Sequence, residues 1–355
     1  MSIPTEPIGS IPRSPALQSA LADHAQGALS DADLTKLQER AVAETLSRLA
    51  ELGSPVLVDG EQTKPSFATY PIAGLATLDP FGAVIPFADG HTRQLPFLTA
   101  GPFRYQVHAE SYLREALRHT ELPVKQAVIA PSALSLLYPP DGIEGYSREQ
   151  FLDDLTDEAE ADIRGALDAG AHSVQIDFTE GRLSLKLDPS GGLLDDFIAL
   201  NNRVLERFSD AERARIGVHT CPGADHDATH SADVDYAGLL PAFFRLKAGN
   251  FYVQLSSELD QDRVLGIIAE HLPPGVRVFV GVTDPIDPVV ETPEQVRDRV
   301  LQAARHIPVE QLGTCDDCGF SPFADDTSTS RDLAFAKIDA RLRGTALAAE
   351  ALGLT

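Results

Sequence analysis

The sequence predicts an α/β protein built as a (β/α)8 TIM barrel with an insertion after the second strand. Three observations carry this prediction. Short apolar runs of strand length alternate with long amphipathic stretches, the rhythm of parallel strands joined by crossover helices. Eight such runs occur along the chain. No G-x-G-x-x-G follows the first of them, so the doubly wound dinucleotide-binding sheet lacks its signature. At 355 residues, 43% of them hydrophobic, the chain can bury a large core, and a single barrel reaches this size.

In order, the first strand is read at EPIGS (6–10), before a helix over 30–52 with Ser30 or Asp31 as N-cap and Gly53 just past its end. VLVDG (56–60) reads as a buried second strand. Residues 65–108 break the rhythm: rich in Pro, Gly and Phe, they read as the insertion, a hairpin leaning over the barrel mouth. PVKQAVIA (123–130) is the third strand, followed by a helix near 147–169, and SVQID (173–177) is the fourth, followed by a helix near 192–208. RIGVHT (215–220) precedes a helix near 233–247, and FYVQL (251–255) a helix near 260–271. VRVFVGV (276–282) precedes a helix near 293–306, and QLGT (311–314) a final helix from about 329. No repeat, low-complexity tract or linker divides the chain, so residues 1–355 read as one barrel domain.

Charge narrows the function classes. With 29 Lys and Arg against 53 Asp and Glu, the formal net charge of −24 repels phosphate backbones and anionic lipid, so no nucleic acid and no membrane is expected as a partner. No run approaches the roughly 20 apolar residues of a membrane span. The N-terminus lacks the basic and apolar regions of a signal peptide. Three cysteines, an odd number in a long chain, argue against a disulfide framework and for a cytoplasmic location.

Chemistry in such a barrel sits just beyond the C-terminal ends of its strands. Ser10 follows the first strand, Glu61 the second, Asp177 ends the fourth, and His219 and Cys221 end the fifth. Gln254 and Glu258 lie at the end of the sixth, Asp284 follows the seventh and Cys318 the eighth. His219 and Cys221 on an extended segment share one face, and an imidazole with a soft sulfur suits Zn2+. Cys318 reaches the same mouth from the eighth strand. The plainer reading makes His219 a loop histidine and Cys221 a small buried residue. Cys315-x-x-Cys318 could be a redox pair or half a zinc ribbon, but no second C-x-x-C completes a ribbon. His226 and His230, in a loop rich in Gly and Asp, read as solvent-facing.

These segments resemble the cobalamin-independent methionine synthase family, specifically its catalytic C-terminal barrel. EPIGSIPR (6–13) is similar to the family's I-G-S-F-P, VDGEQTKPSF (58–67) to D-G-E-x-x-R/K, and VQID (174–177) to I-Q-I-D-E-P. VHTC (218–221) resembles the H-x-C motif, VGVTDPIDPVVETPEQVRDRV (280–300) the G-V-x-D…V-E-S-x-E-E segment, and DDCGF (316–320) P-D-C-G-L. The similarity covers nearly the whole chain and leaves out the family's additional N-terminal barrel, so the chain looks like a single-barrel "core" member.

The resemblance implies a zinc-dependent methyl transfer to the thiol of homocysteine, giving methionine. It matches His219, Cys221 and Cys318 to zinc ligands, and Ser10, Glu61 and Asp177 to residues that hold the amino-acid end of homocysteine. Three departures stand out. The family's fourth ligand, a Glu ending the sixth strand, aligns with Gln254; Glu258 shares its face if the strand continues, and as a carboxylate is the favoured ligand. The family's proton-shuttling His appears as Ile286, leaving Asp284 and Asp287 nearby, with Asp284 the catalytic candidate. There is no Trp, and Leu137 or Tyr138 sits near the place of the family's tryptophan beside the pterin. The donor is therefore expected to be methyltetrahydrofolate or a methyl-corrinoid, the latter with a corrinoid or accessory protein as partner. Two alternatives remain: a zinc alkyltransferase for another thiol, resembling epoxyalkane:coenzyme M transferases, and a non-catalytic zinc- or corrinoid-binding barrel.

Overall fold

The computed structural model describes residues 2–354. Strands are numbered here in chain order. β1 (Leu78–Pro86) and β2 (Thr92–Leu98) form an antiparallel hairpin. β3 (Lys125–Ile129), β4 (Ser173–Asp177), β5 (Ile216–Thr220), β6 (Asn250–Val253), β7 (Arg277–Thr283) and β8 (Leu312–Asp316) form one parallel sheet in that order. β3, β4, β5 and β8 are buried at every position, as strands covered on both faces must be.

Two short extended segments turn this sheet into a ring. Thr5 bridges Thr314 of β8, and Leu57 bridges Val124 beside β3. The Ile11 N–H donates to Gly60 O at 3.0 Å and joins the two segments to each other. The fold is thus a (β/α)8 barrel whose first two strands are only bridges. The first is limited by Pro4 and Pro7, which have no N–H to give on either side of Thr5 and Glu6. The second ends where Gly60 and Glu61 turn left-handed, at φ 69° and 55°.

The long helices start where their caps dictate. Ser30 accepts from Asp33 N and opens Asp31–Glu51, and Ser147 with Gln150 forms a reciprocal capping box before Arg148–Asp168. The helix expected near 233–247 is shorter, Tyr236–Phe243, because Asp235 rather than an earlier residue caps it. Pro15–Ala25, Glu110–Leu117 and Glu180–Leu187 are helices that the sequence reading did not contain. Among the described residues no helix is long and apolar enough to cross a membrane.

Side chains fill the barrel's interior. Tyr252 of β6 stacks on Phe279 of β7 with ring centroids 4.6 Å apart, packed with Ile8 and Cys315. Lys125 lies 4.1 Å over the Tyr252 ring, and Tyr252 donates to Glu6 at 2.6 Å. Cys315 Sγ sits 3.4 Å from Phe279 O, so this cysteine belongs to the barrel plug rather than to a redox pair. This layer floors the cavity that opens at the strands' C-terminal ends.

Candidate metal centre and substrate cavity

β5 delivers His219 on its last residues and Cys221 directly after them, and the turn after β8 delivers Cys318. The ligand atoms of these three residues all lie within 4.8 Å of one another. Cys221 Sγ and Cys318 Sγ are 3.1 Å apart, and both cysteines are free. His219 is buried, yet neither of its ring nitrogens has a hydrogen-bond partner among the described residues. Leaving a buried polar group unsatisfied costs roughly 1–3 kcal/mol, so a partner outside the polypeptide fits this position. The hydrogen bond from Cys318 and the adjacent His219 hold the Cys221 thiol well below its ordinary value. The same contact and burial hold the Cys318 thiol well above its ordinary value, so the pair shares one proton more readily than it loses two. Two sulfurs and one unpartnered imidazole are a donor set suited to zinc.

The same cluster borders a cavity of about 110 Å³ lined by Ser10, Glu61, Asp177, Glu180, His219 and Cys318. Each acid is held in its own way. Glu61 sits in the left-handed region, its N–H fixed by Asp59 Oδ1 at 2.9 Å. Burial raises the Glu61 carboxyl, and Lys64, 3.1 Å away, opposes that rise. Asp177 accepts from Gln175 Nε2 at 2.7 Å, and Gln175 in turn accepts from Lys125 Nζ at 2.8 Å. Burial raises the Asp177 carboxyl too, and no cation pairs with it among the described residues. Ser10 Oγ accepts from Ser321 N at 3.1 Å, which leaves its own hydroxyl proton free to donate. Gly319 makes this approach possible: a Cβ there would lie 2.2 Å from Ser10 Oγ.

The hairpin closes the other side with Phe87 and Leu95. It is tied down by Arg93, whose Nε and Nη2 meet the buried carboxylate of Asp225 at 2.5 and 3.0 Å. Arg93 also bridges Asp325 at 2.9 Å, and Ala88 N donates to Thr229 O at 2.8 Å. Asp225, His226 and Asp326 cluster closely, but Arg93 and His91 already occupy Asp225. His230 is buried against Phe87 rather than solvent-facing, and burial pushes its imidazole down to about 4.

Glu258 is not brought into the metal cluster. β6 stops at Val253 and the chain turns, with the Glu258 N–H donating to Leu255 O at 3.0 Å, so the alternation that would have aimed Glu258 with residue 254 does not continue. The Glu258 carboxylate instead pairs with Arg182 at 2.8 Å. Asp284 lies in a second cavity that also contains Cys318, Gln254, Glu258 and Arg182; burial raises its carboxyl, and it accepts from Ile286 N at 3.0 Å.

Sequence reasoning missed three residues that shape the site. Asp317 accepts from the backbone N–H groups of Leu255, Ser256 and Ser257 and from the Ser257 hydroxyl, all at 2.8 Å, and so fixes the turn after β6. Burial, with Asp284 adding to it, pushes Asp317 up to about 7. Glu180 accepts from Ser132 while its second oxygen is unpartnered among the described residues; burial pushes it up to about 8. Arg182 stands two residues further along the same unread helix. Asp317 was legible in TCDDCGF, where only the cysteines were weighed.

The model of the cobalamin-independent synthase catalytic domain matches residues 3–336. The 5-methyltetrahydropteroyltriglutamate–homocysteine methyltransferase of Acidithiobacillus ferrooxidans is 25% identical over 325 residues, covering 90% of this chain and 39% of that protein. The chain thus spans about two fifths of the first curated relatives it matches. A methionine synthase of Saccharolobus solfataricus is 23% identical over 362 residues, with 99% of this chain and 96% of that protein covered. Among solved structures, a B12-independent methionine synthase from a Shewanella species, in complex with selenomethionine, superposes with a TM-score of 0.79 at 19% identity and covers 100% of both chains. A putative vitamin-B12 independent methionine synthase from Listeria monocytogenes gives 0.74 at 18% identity, with 98% of each covered. At these identities the structural likeness speaks for the fold.

Proposed function

The chain belongs to the family of cobalamin-independent synthase catalytic domains, and we propose that it is a zinc-dependent methyltransferase that methylates the thiol of homocysteine to give methionine. The observation that carries this reading is a single cavity lined both by His219 and Cys318 of the cluster, with its unpartnered imidazole, and by Ser10, Glu61 and Asp177. A zinc ion bound by the cluster would supply a Lewis acid that keeps a thiol ionised near neutral pH.

The remaining work falls to the chain's own groups. Glu61 shares its charge with Lys64, whereas Asp177 has no directly paired cation among the described residues, so Asp177 is the natural partner for the substrate ammonium. Ser10, already accepting from Ser321 N, donates to the substrate carboxylate. Phe87, Leu95 and Phe67 wall the cavity against water, which strengthens both contacts and fixes the thiol for in-line attack on a methyl group. The Saccharolobus relative, matched end to end and named a methionine synthase, supports the same reading. The methyl donor is methyltetrahydrofolate or a methyl-corrinoid, the latter free or carried by an accessory protein; as the S–CH3 bond forms, the donor's N–CH3 or Co–CH3 bond breaks and the electron pair leaves with the donor, the folate nitrogen taking up a proton as it departs.

The test is methionine formation from homocysteine by the zinc-loaded protein, with methyltetrahydrofolate and methylcobalamin supplied separately. Methionine from either donor, lost on zinc removal and restored by adding it back, is the expected result. Equal methylation of a simple thiol without an amino-acid end would contradict the homocysteine assignment.

A further inference from the structure

We propose that Arg182 is a positioning residue that holds Gln254 and Glu258 away from the metal, so that three protein side chains bind it and the fourth coordination position is left to the substrate thiol. The proposal rests on the zinc reading above. Arg182 is anchored on every side. Its Nη1 donates to Gln254 Oε1 at 3.1 Å and to Glu258 Oε1 at 2.8 Å. Its Nε donates to Val234 O at 2.7 Å and its Nη2 to Ala232 O at 3.3 Å. The guanidinium also lies 4.3 Å over the Tyr236 ring, and the side chain is only 3% exposed.

Each candidate ligand gives an oxygen to Arg182. The carbonyl oxygen of Gln254, its one ligating atom, accepts from Arg182, and its amide nitrogen donates to Ser257 Oγ at 2.5 Å. Ser257 is itself fixed by Asp317. Glu258 has a charge-assisted bond to a buried cation, and giving it up would strand the guanidinium. Both residues line one cavity with Cys318, so that cavity connects them to the cluster, and Arg182 is the side chain that holds them within it.

Charge supports the same coordination. Two thiolates and a neutral imidazole already balance a dication, and a carboxylate would make the centre anionic before a thiolate arrived. Three protein ligands with an open position are also the pattern of catalytic rather than structural zinc sites.

The test uses the zinc-loaded full chain, with chelator competition for affinity and X-ray absorption for ligand count. Glu258→Gln and Gln254→Ala should each keep zinc affinity within about threefold, well inside the roughly tenfold or larger effect of changing a supporting residue. The absorption spectrum should report two sulfurs in the resting protein and three after homocysteine is added. Arg182→Gln should release Glu258 to the metal, tightening zinc and blocking the third sulfur, and Arg182→Gln with Glu258→Gln should restore wild-type behaviour. A loss of about tenfold or more in affinity in Glu258→Gln or Gln254→Ala overturns the proposal while leaving the zinc reading intact. If Arg182→Gln does not fold, those two single variants and the sulfur count still decide the matter. A wild-type protein that binds no zinc overturns the metal reading and this proposal with it.

Discussion

Cys315 and Cys318 stand three residues apart, yet one contacts the Phe279 carbonyl inside the barrel and the other contacts Cys221 at its mouth. Cys318→Ser and Cys221→Ser should therefore abolish zinc retention, measured as metal per chain after dialysis, because each removes a bond and a charge that hold the dication. Cys315→Ser should keep the metal; the reverse pattern would put the cluster in the wrong register. Asp177→Asn should keep zinc as well but lower kcat/KM for homocysteine by about ten- to a hundredfold, the worth of a charge-assisted hydrogen bond of roughly 1.5–3 kcal/mol. A simple thiol should be far less affected, and equal losses for both thiols would make Asp177 a support of the fold. Glu180 gives a pH signature. Burial raises its folded-state carboxyl to about 8, above the unfolded value, so the folded state binds the extra proton between those two values. Its stabilising effect is complete below about pH 4.5, the unfolded range, and is lost as pH rises through about 8. Glu180→Gln keeps an acceptor for Ser132 and cannot ionise, so its melting temperature should fall less than the wild type's across that window; parallel curves would contradict the assignment.

At the scale of elements, legibility tracked how much burial each segment enjoys. β3 to β8 are apolar runs buried by the ring and the helices around it, and their positions could be read from the chain. The first two barrel strands could not be read at full length, because Pro4 and Pro7 limit one ladder and left-handed Gly60 and Glu61 end the other. The helix Glu180–Leu187 was missed because its inward residues include Glu180 and Arg182, which do not look like a core face. With it went the partner that occupies Glu258. The alternation argument for Glu258 failed at one point, the end of β6 at Val253, and the cause is the Asp317 carboxylate that turns residues 255–257. The hairpin β1–β2 carries the prediction proper to this scale. Arg93→Gln would leave Asp225 buried without its guanidinium, a loss of about 2–5 kcal/mol or more in comparable buried pairs. Amide exchange in the hairpin should speed up and KM should rise while zinc content stays constant. Unchanged exchange would show that the hairpin is held by other contacts.

At the scale of the molecule, ring closure is what makes one site out of distant residues. Ser10, Glu61, Asp177, His219 and Cys318 come from five strand ends, and they meet because Thr5 to Thr314, Leu57 to Val124 and Ile11 to Gly60 close the barrel. The alternation of strands and helices foretold that convergence, and the H-x-C and D-C-G segments supplied the His219, Cys221 and Cys318 cluster at the mouth. Nothing local in the sequence foretold that Lys64 would pair directly with Glu61 and leave Asp177 without a direct ion pair among the described residues, since that depends on a left-handed turn that brings Lys64 to Ala127 O of β3. The central claim is that this cavity binds homocysteine as a metal-held thiolate. Proton release on mixing homocysteine with the zinc-loaded protein near pH 7 tests it most directly. A free thiol with a pKa of about 8.5 is mostly protonated there, so about one proton per chain should be released, and none should be released from the zinc-stripped protein or from Cys318→Ser. Binding of homocysteine without proton release, or with equal release from the zinc-stripped protein, would contradict the account.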